Sequence, residues 1–217
     1  MQRQRIVAIV PAYNEAASLP HVVRDLRAGP VPLDIVVLDD GSTDETAAVA
    51  RRLGVAVVTH PFNLGIGGAH QTGFRYALAW GYTIAVQFDG DGQHLAREIP
   101  ALLGPLERGT ADVVVGSRFA ARGHGYRGGR SRRAGGVLLA GLIRALSGQV
   151  YTDVTSGVRA LGERALQVAA ADYPQDFPEP ESLLTFRRYA LRVGEVGVAM
   201  QGRVGGVSSL HPWRSVY

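Results

Sequence analysis

An apolar run, Thr83 to Phe88, stops on Asp89-Gly90-Asp91-Gly92-Gln93-His94, and that abrupt change constrains the chain more than any other stretch. A run of this kind reads as a strand buried on both faces, as in the parallel sheets of α/β proteins. In open sheets of that class ligands sit outside the carboxyl ends of the strands, which puts Asp89 and Asp91 at the ligand edge. Residues i and i+2 of an extended chain point the same way, while Gly90 and Gly92 let backbone and ligand approach closely. Two like charges so placed repel unless something positive stands between them. Hard oxygen ligands suit Mg²⁺ or Mn²⁺, and Mg²⁺ is normally held by one or two carboxylates together with substrate phosphates. The plainer reading of the same residues is a polar turn between strand and helix.

The pattern repeats along the chain. Ile6 to Val10 ends on Pro11-Ala12-Tyr13-Asn14-Glu15, and Leu19, Val22, Val23 and Leu26 then recur with helical spacing. Asp34 to Leu38 ends on Asp39-Asp40-Gly41-Ser42-Thr43-Asp44, where Ser42 and Glu45 have the spacing of a capping box. Val55 to Thr59 reads as a third strand, and Asn63 to Ala69 is a glycine-rich start to a helix reaching Trp80. After the fourth strand, Ile99, Leu102, Leu103 and Leu106 give a helix stripe, and Asp112 to Val115 gives a strand ending on Gly116-Ser117-Arg118. No G-x-G-x-x-G follows the first strand, which argues against a dinucleotide-binding unit.

Between Arg118 and Arg133 hydrophobic periodicity gives way to glycine and arginine, so a mobile loop is expected over 118–135. A lid over an anionic substrate, a solvated loop and an RGG-like nucleic-acid segment all fit that texture. Val137 to Leu146 reads as a short apolar helix, Tyr151 to Arg159 as a polar turn, Tyr173 to Glu181 as a helix start, Glu195 to Met200 as a last strand and 202–217 as a Gly/Ser-rich tail. One domain over 1–217 is expected, since this length suits a single core.

Composition removes several chemistries. The chain has no cysteine, so thiolate metal sites and cysteine nucleophiles are excluded. All 23 basic residues are arginine, which excludes a Walker A lysine and Schiff-base chemistry. Arginine is also the side chain whose planar fork grips phosphate in bidentate fashion. No apolar stretch reaches the ~20 residues of a membrane span and no secretory signal is visible, so a cytoplasmic location is expected.

Pro11 to Glu15, Asp39 to Asp44, Asp89 to Gln93, Gly116 to Arg118, Thr155 to Arg159 and Arg203 to Ser209 stand in the order and at the spacings of the family 2 glycosyltransferases. The chain most resembles the dolichyl- or polyprenyl-phosphate mannose synthase branch. That resemblance implies a GT-A fold, an α/β architecture with a Rossmann-like, mostly parallel central sheet flanked by helices. It also implies a nucleotide-diphosphate sugar donor, GDP- or UDP-linked, a divalent cation and inversion at the anomeric carbon. Carried over by position, Pro11, Tyr13, Glu15, Leu38 and Asp40 match residues that hold the nucleoside, and Asp89, Asp91 and Gln93 match those that hold Mg²⁺ or Mn²⁺. Arg118, one of Arg132 and Arg133, and Arg203 match residues that meet donor diphosphate or acceptor phosphate, so Asp91 and these arginines form the expected catalytic set. The chain departs from the branch where Ser208 or Ser209 replaces an expected basic residue, and where membrane spans of some relatives are missing.

A sugar leaving a diphosphate develops negative charge on the leaving group, which a cation and arginines can stabilise. A lipid phosphate acceptor is already an anionic nucleophile, whereas a sugar hydroxyl needs a base, for which Glu179, Glu181 and Asp176 are the candidates. The expected partners are thus a nucleotide sugar, a polyprenyl phosphate and the inner membrane face, reached directly or through a separate membrane protein, and no nucleic acid. A sugar-1-phosphate nucleotidyltransferase and an arginine-loop RNA binder are the competing readings. Absence of lysine and of an early arginine-bearing glycine loop argues against the first.

Overall fold

The computed structural model describes residues 4–120 and 130–202, and for 130–138 the backbone only. Among these residues the strands are β1 (Ile6–Ala12), β2 (Asp34–Asp39), β3 (Ala56–Thr59), β4 (Ile84–Gln87), β5 (Val113–Ser117), β6 (Arg159–Gly162) and β7 (Val193–Gly197). They form one sheet in the order β3-β2-β1-β4-β6-β5-β7. β1 to β4 run parallel, β5 and β7 pair in parallel, and β6 runs antiparallel to both of its neighbours. The mostly parallel α/β sheet expected from the sequence is therefore present.

Alternation along the strands divides the core between the two faces. Ala8 and Val10 of β1, Val37 of β2 and Val86 of β4 pack on one face with Leu19, Val22, Val23 and Leu26 of α1 (Leu19–Ala28) and Ile99 and Leu102 of α4 (Ile99–Glu107). Val7 and Ile9 of β1, Val36 and Leu38 of β2 and Ala85 of β4 pack on the other with Phe74 and Ala77 of α3 (Gly65–Ala79) and Leu166 of α6 (Glu163–Ala171). The stripe Leu19, Val22, Val23, Leu26 is buried at all four positions, as its spacing requires. Burying a side chain of this size contributes about 1.5–3 kcal/mol.

Three local expectations are corrected. The capping box does not form: α2 (Thr46–Arg52) has Glu45 at its N-cap with no side-chain cap, and the Ser42 hydroxyl instead accepts the Asn14 N–H at 3.0 Å. Two ligand-edge loops pressed together compete for that hydroxyl, and the cross-loop bond wins. The helix expected over Val137 to Leu146 is α5 (Arg130–Ser147), so 130–135 are helical rather than loop, while 121–129 lie outside the described residues. Arg159, read as the end of a turn, opens β6, where burial between β4 and β5 makes a strand of four residues with no recognisable alternation.

His70, on the sheet-facing side of α3, is 1% exposed, stacks on Phe74 and meets the edge of Tyr173. Neither ring nitrogen has a hydrogen-bond partner among the described residues. Burial, reinforced by Arg159 and opposed by the nearby Asp89, pulls its pKa down to about 4. The folded state thus holds the ring neutral while the unfolded chain takes up a proton below its ordinary value near 6.5, so stability falls as pH drops from that value towards the folded pKa. Urea melts should show this component as about 2 kcal/mol lost between pH ~7 and ~5, and a His70→Leu variant should lack it. Equal pH slopes in the two proteins would count against a neutral buried ring.

Candidate active site

The loops that leave β1, β2, β4 and β5 and the turn that enters β6 share one edge of the sheet. The first two loops are stitched together. Asn14, in the left-handed region at φ 56°, accepts the Thr43 N–H on its Oδ1 at 2.8 Å, and the Glu15 N–H donates to Thr46 Oγ1 at 2.9 Å. Tyr13 stands out from this pair of loops, 48% exposed. Glu15 is half-buried, and its Oε2 accepts the Ser18 hydroxyl at 2.5 Å.

Of the other residues matched to nucleoside binding, Pro11 and Leu38 lie opposite one another in the β1–β2 ladder. Leu38 is wholly inside the core, so only its backbone, and not its side chain, is placed to meet a ligand. Asp40 is buried and engaged: Oδ1 accepts the Leu64 N–H at 2.8 Å and meets His60 Nδ1 at 2.7 Å, and Oδ2 accepts the Gly65 N–H at 2.9 Å. Its carboxylate accepts N–H groups at the start of α3, whose N-cap residue Leu64 makes no side-chain cap of its own, and it shares the Gly65 N–H with Asn63 Oδ1, also at 2.9 Å.

The acidic loop follows β4. The register Gln87↔Arg159 between β4 and antiparallel β6, continued by two residues, brings Asp89 to Gly157. A Cβ on Gly157 would lie 2.8 Å from Asp89 Oδ2 and 3.1 Å from Oδ1, so the glycine of Thr155-Ser-Gly-Val-Arg159 is the residue that leaves room for the carboxylate. Gly90 does the same towards β1, where an added Cβ would sit 2.8 Å from the Pro11 carbonyl oxygen. His94 was not assigned a role by sequence; it is 3% exposed and its Nε2 lies 2.8 Å from Asp89 Oδ2, orienting that carboxylate. Asp91 is 7% exposed and accepts the Gln93 N–H on Oδ1 at 2.9 Å. The chain after β7 closes over this loop: His94 bridges Met200, the Gln201 N–H donates to the Gln93 carbonyl at 3.0 Å, and Gln201 Nε2 donates to the Gly92 carbonyl at 2.9 Å.

Asp89, Asp91 and Gln93 offer oxygen donors from one loop, with Asp89 hydrogen-bonded by His94, and that donor chemistry fits a hard divalent cation completed by phosphate oxygens. Among the described residues no three His, Cys, Asp or Glu side chains cluster as a self-sufficient metal cage.

Arg159 is almost completely buried, and its Nε, Nη1 and Nη2 donate to the Ser156 carbonyl, the Ser182 hydroxyl and the Glu179 carbonyl at 3.0, 2.6 and 2.6 Å. Glu179 and Glu181 lie in the first turn of α7 (Pro178–Arg188). Burial raises the Glu179 pKa, with Arg159 lowering it and Asp89 raising it further. Glu181 and Asp176 are exposed, so Glu179 is the candidate base that faces the acids.

Arg118 is held more firmly than a lid residue would be. Its Nε and Nη2 donate to Asp153 Oδ2 and Oδ1 at 2.6 and 2.7 Å, and Nη2 also donates to Thr155 Oγ1 at 2.6 Å. Arg132 and Arg133 lie in α5 with their side chains outside the described residues, and Arg203 lies outside them altogether.

The family model for glycosyl transferase family 2 matches residues 7–167. An undecaprenyl-phosphate mannosyltransferase of Micrococcus luteus is 33% identical over 216 residues, 95% of this chain and 87% of its own length. A UDP-N-acetylglucosamine–dolichyl-phosphate N-acetylglucosaminyltransferase of Methanococcus voltae is 30% identical, covering 91% and 86%. Among solved structures, glucosyl-3-phosphoglycerate synthase of Mycobacterium tuberculosis, in complex with Mn²⁺, UDP-glucose and phosphoglyceric acid, superposes with a TM-score of 0.71 at 27% identity, covering 94% of this chain and 73% of that one. With the GT-A sheet, the acidic loop at its ligand edge and a family match over most of its length, this chain belongs to glycosyl transferase family 2 and is a glycosyltransferase.

Proposed function

We propose that this glycosyltransferase moves a sugar, with inversion, from a GDP- or UDP-linked donor to a polyprenyl phosphate at the cytoplasmic face of a membrane, using Mg²⁺ or Mn²⁺. The observation that carries the donor half is the acidic loop, where Asp89 is seated against Gly157 and oriented by His94. Asp89, Asp91 and Gln93 would hold the cation, which supplies charge neutralisation for the departing diphosphate. The arginines Arg118, Arg132, Arg133 and Arg203 are the phosphate-binding side of this reading. The solved relative bound to Mn²⁺ and UDP-glucose supports the donor class, and the names of the curated relatives support the lipid phosphate.

No helix among the described residues is long and apolar enough to cross a membrane. Support for surface attachment comes from α5, whose Ile143 is buried while Leu142, Leu146 and the following Val150 are 55%, 64% and 67% exposed. Arg130, Arg132 and Arg133 open the same helix, a pairing of apolar face and positive charge suited to anionic lipid. A soluble hydroxyl acceptor is a second reading, favoured by the raised pKa of Glu179 beside Asp89, since a base that takes a hydroxyl proton near neutrality needs such a shift.

One experiment separates them. Labelled donors with polyprenyl phosphate in anionic liposomes should give a lipid-linked sugar, with transfer lost in EDTA and retained in Glu179→Gln. Transfer only to soluble hydroxyl acceptors, abolished by Glu179→Gln and accompanied by no liposome binding, would establish the second reading instead.

A further inference from the structure

We propose that Asp153 is a positioning residue that sets the direction in which Arg118 meets a phosphate group, and that Glu195 holds Asp153 in place; this rests on the reading of Arg118 as a phosphate ligand. The Asp153 side chain is 1% exposed and that of Arg118 15%. Besides the fork contacts, Asp153 Oδ2 accepts the Arg118 backbone N–H at 3.0 Å, and Oδ1 accepts the Thr155 N–H and hydroxyl, both at 3.3 Å. A carboxylate that takes the main-chain and side-chain donors of one arginine together fixes both the origin and the plane of its guanidinium. The Nε and Nη2 edge is thereby turned towards Asp153 and Thr155, and a phosphate meets the guanidinium in the plane that Asp153 dictates.

Asp153 is itself fixed from the neighbouring strand. Glu195, opposite Val115 in the β5–β7 ladder, accepts the Thr152 and Asp153 N–H groups on Oε1, both at 3.0 Å, and Thr152 again on Oε2 at 2.8 Å. The Thr152 hydroxyl lies 2.6 Å from that of Ser117, whose oxygen accepts the Phe119 and Ala120 N–H groups, both at 3.1 Å. The chain on either side of Arg118 is therefore tied to the turn that carries Asp153. Two carboxylates in series lead from an edge strand to a guanidinium, an arrangement whose product is direction, because the inner acid offsets the positive charge it orients.

Calorimetry on the full chain with Mg²⁺ tests this, using UDP and GDP in one arm and farnesyl phosphate, a short isoprenyl monophosphate, in the other. Arg118→Lys, which keeps the charge and loses the fork, should weaken one arm and so identify the phosphate. Asp153→Asn should weaken that same arm by about 10-fold and leave the other unchanged. The Arg118→Lys, Asp153→Asn double variant should bind no worse than Arg118→Lys alone, since nothing remains to be oriented. If Asp153→Asn does not give a folded protein by circular dichroism, Glu195→Ala takes its place, with a loss of about 3-fold expected in the same arm. Additive losses in the double variant, equal losses in both arms, or an unchanged Glu195→Ala would overturn the proposal while leaving Arg118 a phosphate ligand. Unchanged binding in both arms of Arg118→Lys would overturn the phosphate reading itself.

Discussion

Asp91→Asn is expected to lower sugar transfer by about two to three orders of magnitude, the size of effect seen when a preorganised charge at a developing anion is removed. The substitution is nearly isosteric and keeps the Oδ1 that accepts the Gln93 N–H, so the loop retains its hydrogen bond and folding should change little. What disappears is one of two negative charges at the carboxyl end of β4, and with it part of the attraction for the divalent cation that the proposed function would place there. Turnover of labelled nucleotide sugar gives the first readout. Titration of nucleoside diphosphate with and without EDTA gives the second: the wild type should lose affinity in EDTA and Asp91→Asn should be weak in both. A variant with normal, EDTA-sensitive binding and full turnover would sink the assignment of this acid.

Gly157→Ala is expected to be the most selective lesion in the molecule. The glycine has no left-handed φ, so alanine suits its backbone, and the loss of unfolded conformations, about 0.4–1 kcal/mol, offsets part of the cost of the new contact. The new methyl carbon would nevertheless fall 2.8 Å from Asp89 Oδ2, an oxygen already 2.8 Å from His94 Nε2. Neither group can yield without moving the carboxylate, and a displacement of about 1 Å at a reacting centre costs roughly 100-fold in rate. The expected result is a melting temperature changed by only a few degrees with turnover down about 100-fold. Full activity at that melting temperature would show that transfer does not depend on where Asp89 sits.

The parts of this architecture that were legible in the sequence are those encoded by local period. The stripe of α1 and the apolar runs of β1, β2 and β4 repeat often enough to declare their elements, and Asp89 and Asp91 are conspicuous because they interrupt such a run. β6 escaped because its four residues begin with a buried arginine, whose place depends on strands far away in the chain. The partnership of Arg118 with Asp153 spans 35 residues and leaves no periodic trace, so Arg118 reads from sequence as a lid residue when its side chain is anchored. That anchoring changes what its removal should do. Arg118→Ala, harmless to folding if the residue were on a free loop, leaves a buried carboxylate without its cation, a loss in the range of about 3–5 kcal/mol. Ser42 shows the opposite failure, a correct capping spacing overruled by a neighbouring loop that only the sheet order brings near.

Since β6 separates β4 from β5, two strands consecutive in the chain become part of one sheet only when residues 159–162 arrive between them. A nascent chain that has emerged only as far as α5 has a parallel set of four strands whose β4 edge is bare, and a β5 with nothing beside it. Bare edges of this kind recruit other chains. The strand that covers this one opens with Arg159, at the end of the turn whose Gly157 packs on Asp89. The edge of β4 and the seat of Asp89 therefore depend on the same short stretch of chain, 157–162, so a change that loosens that stretch would expose the one and unseat the other.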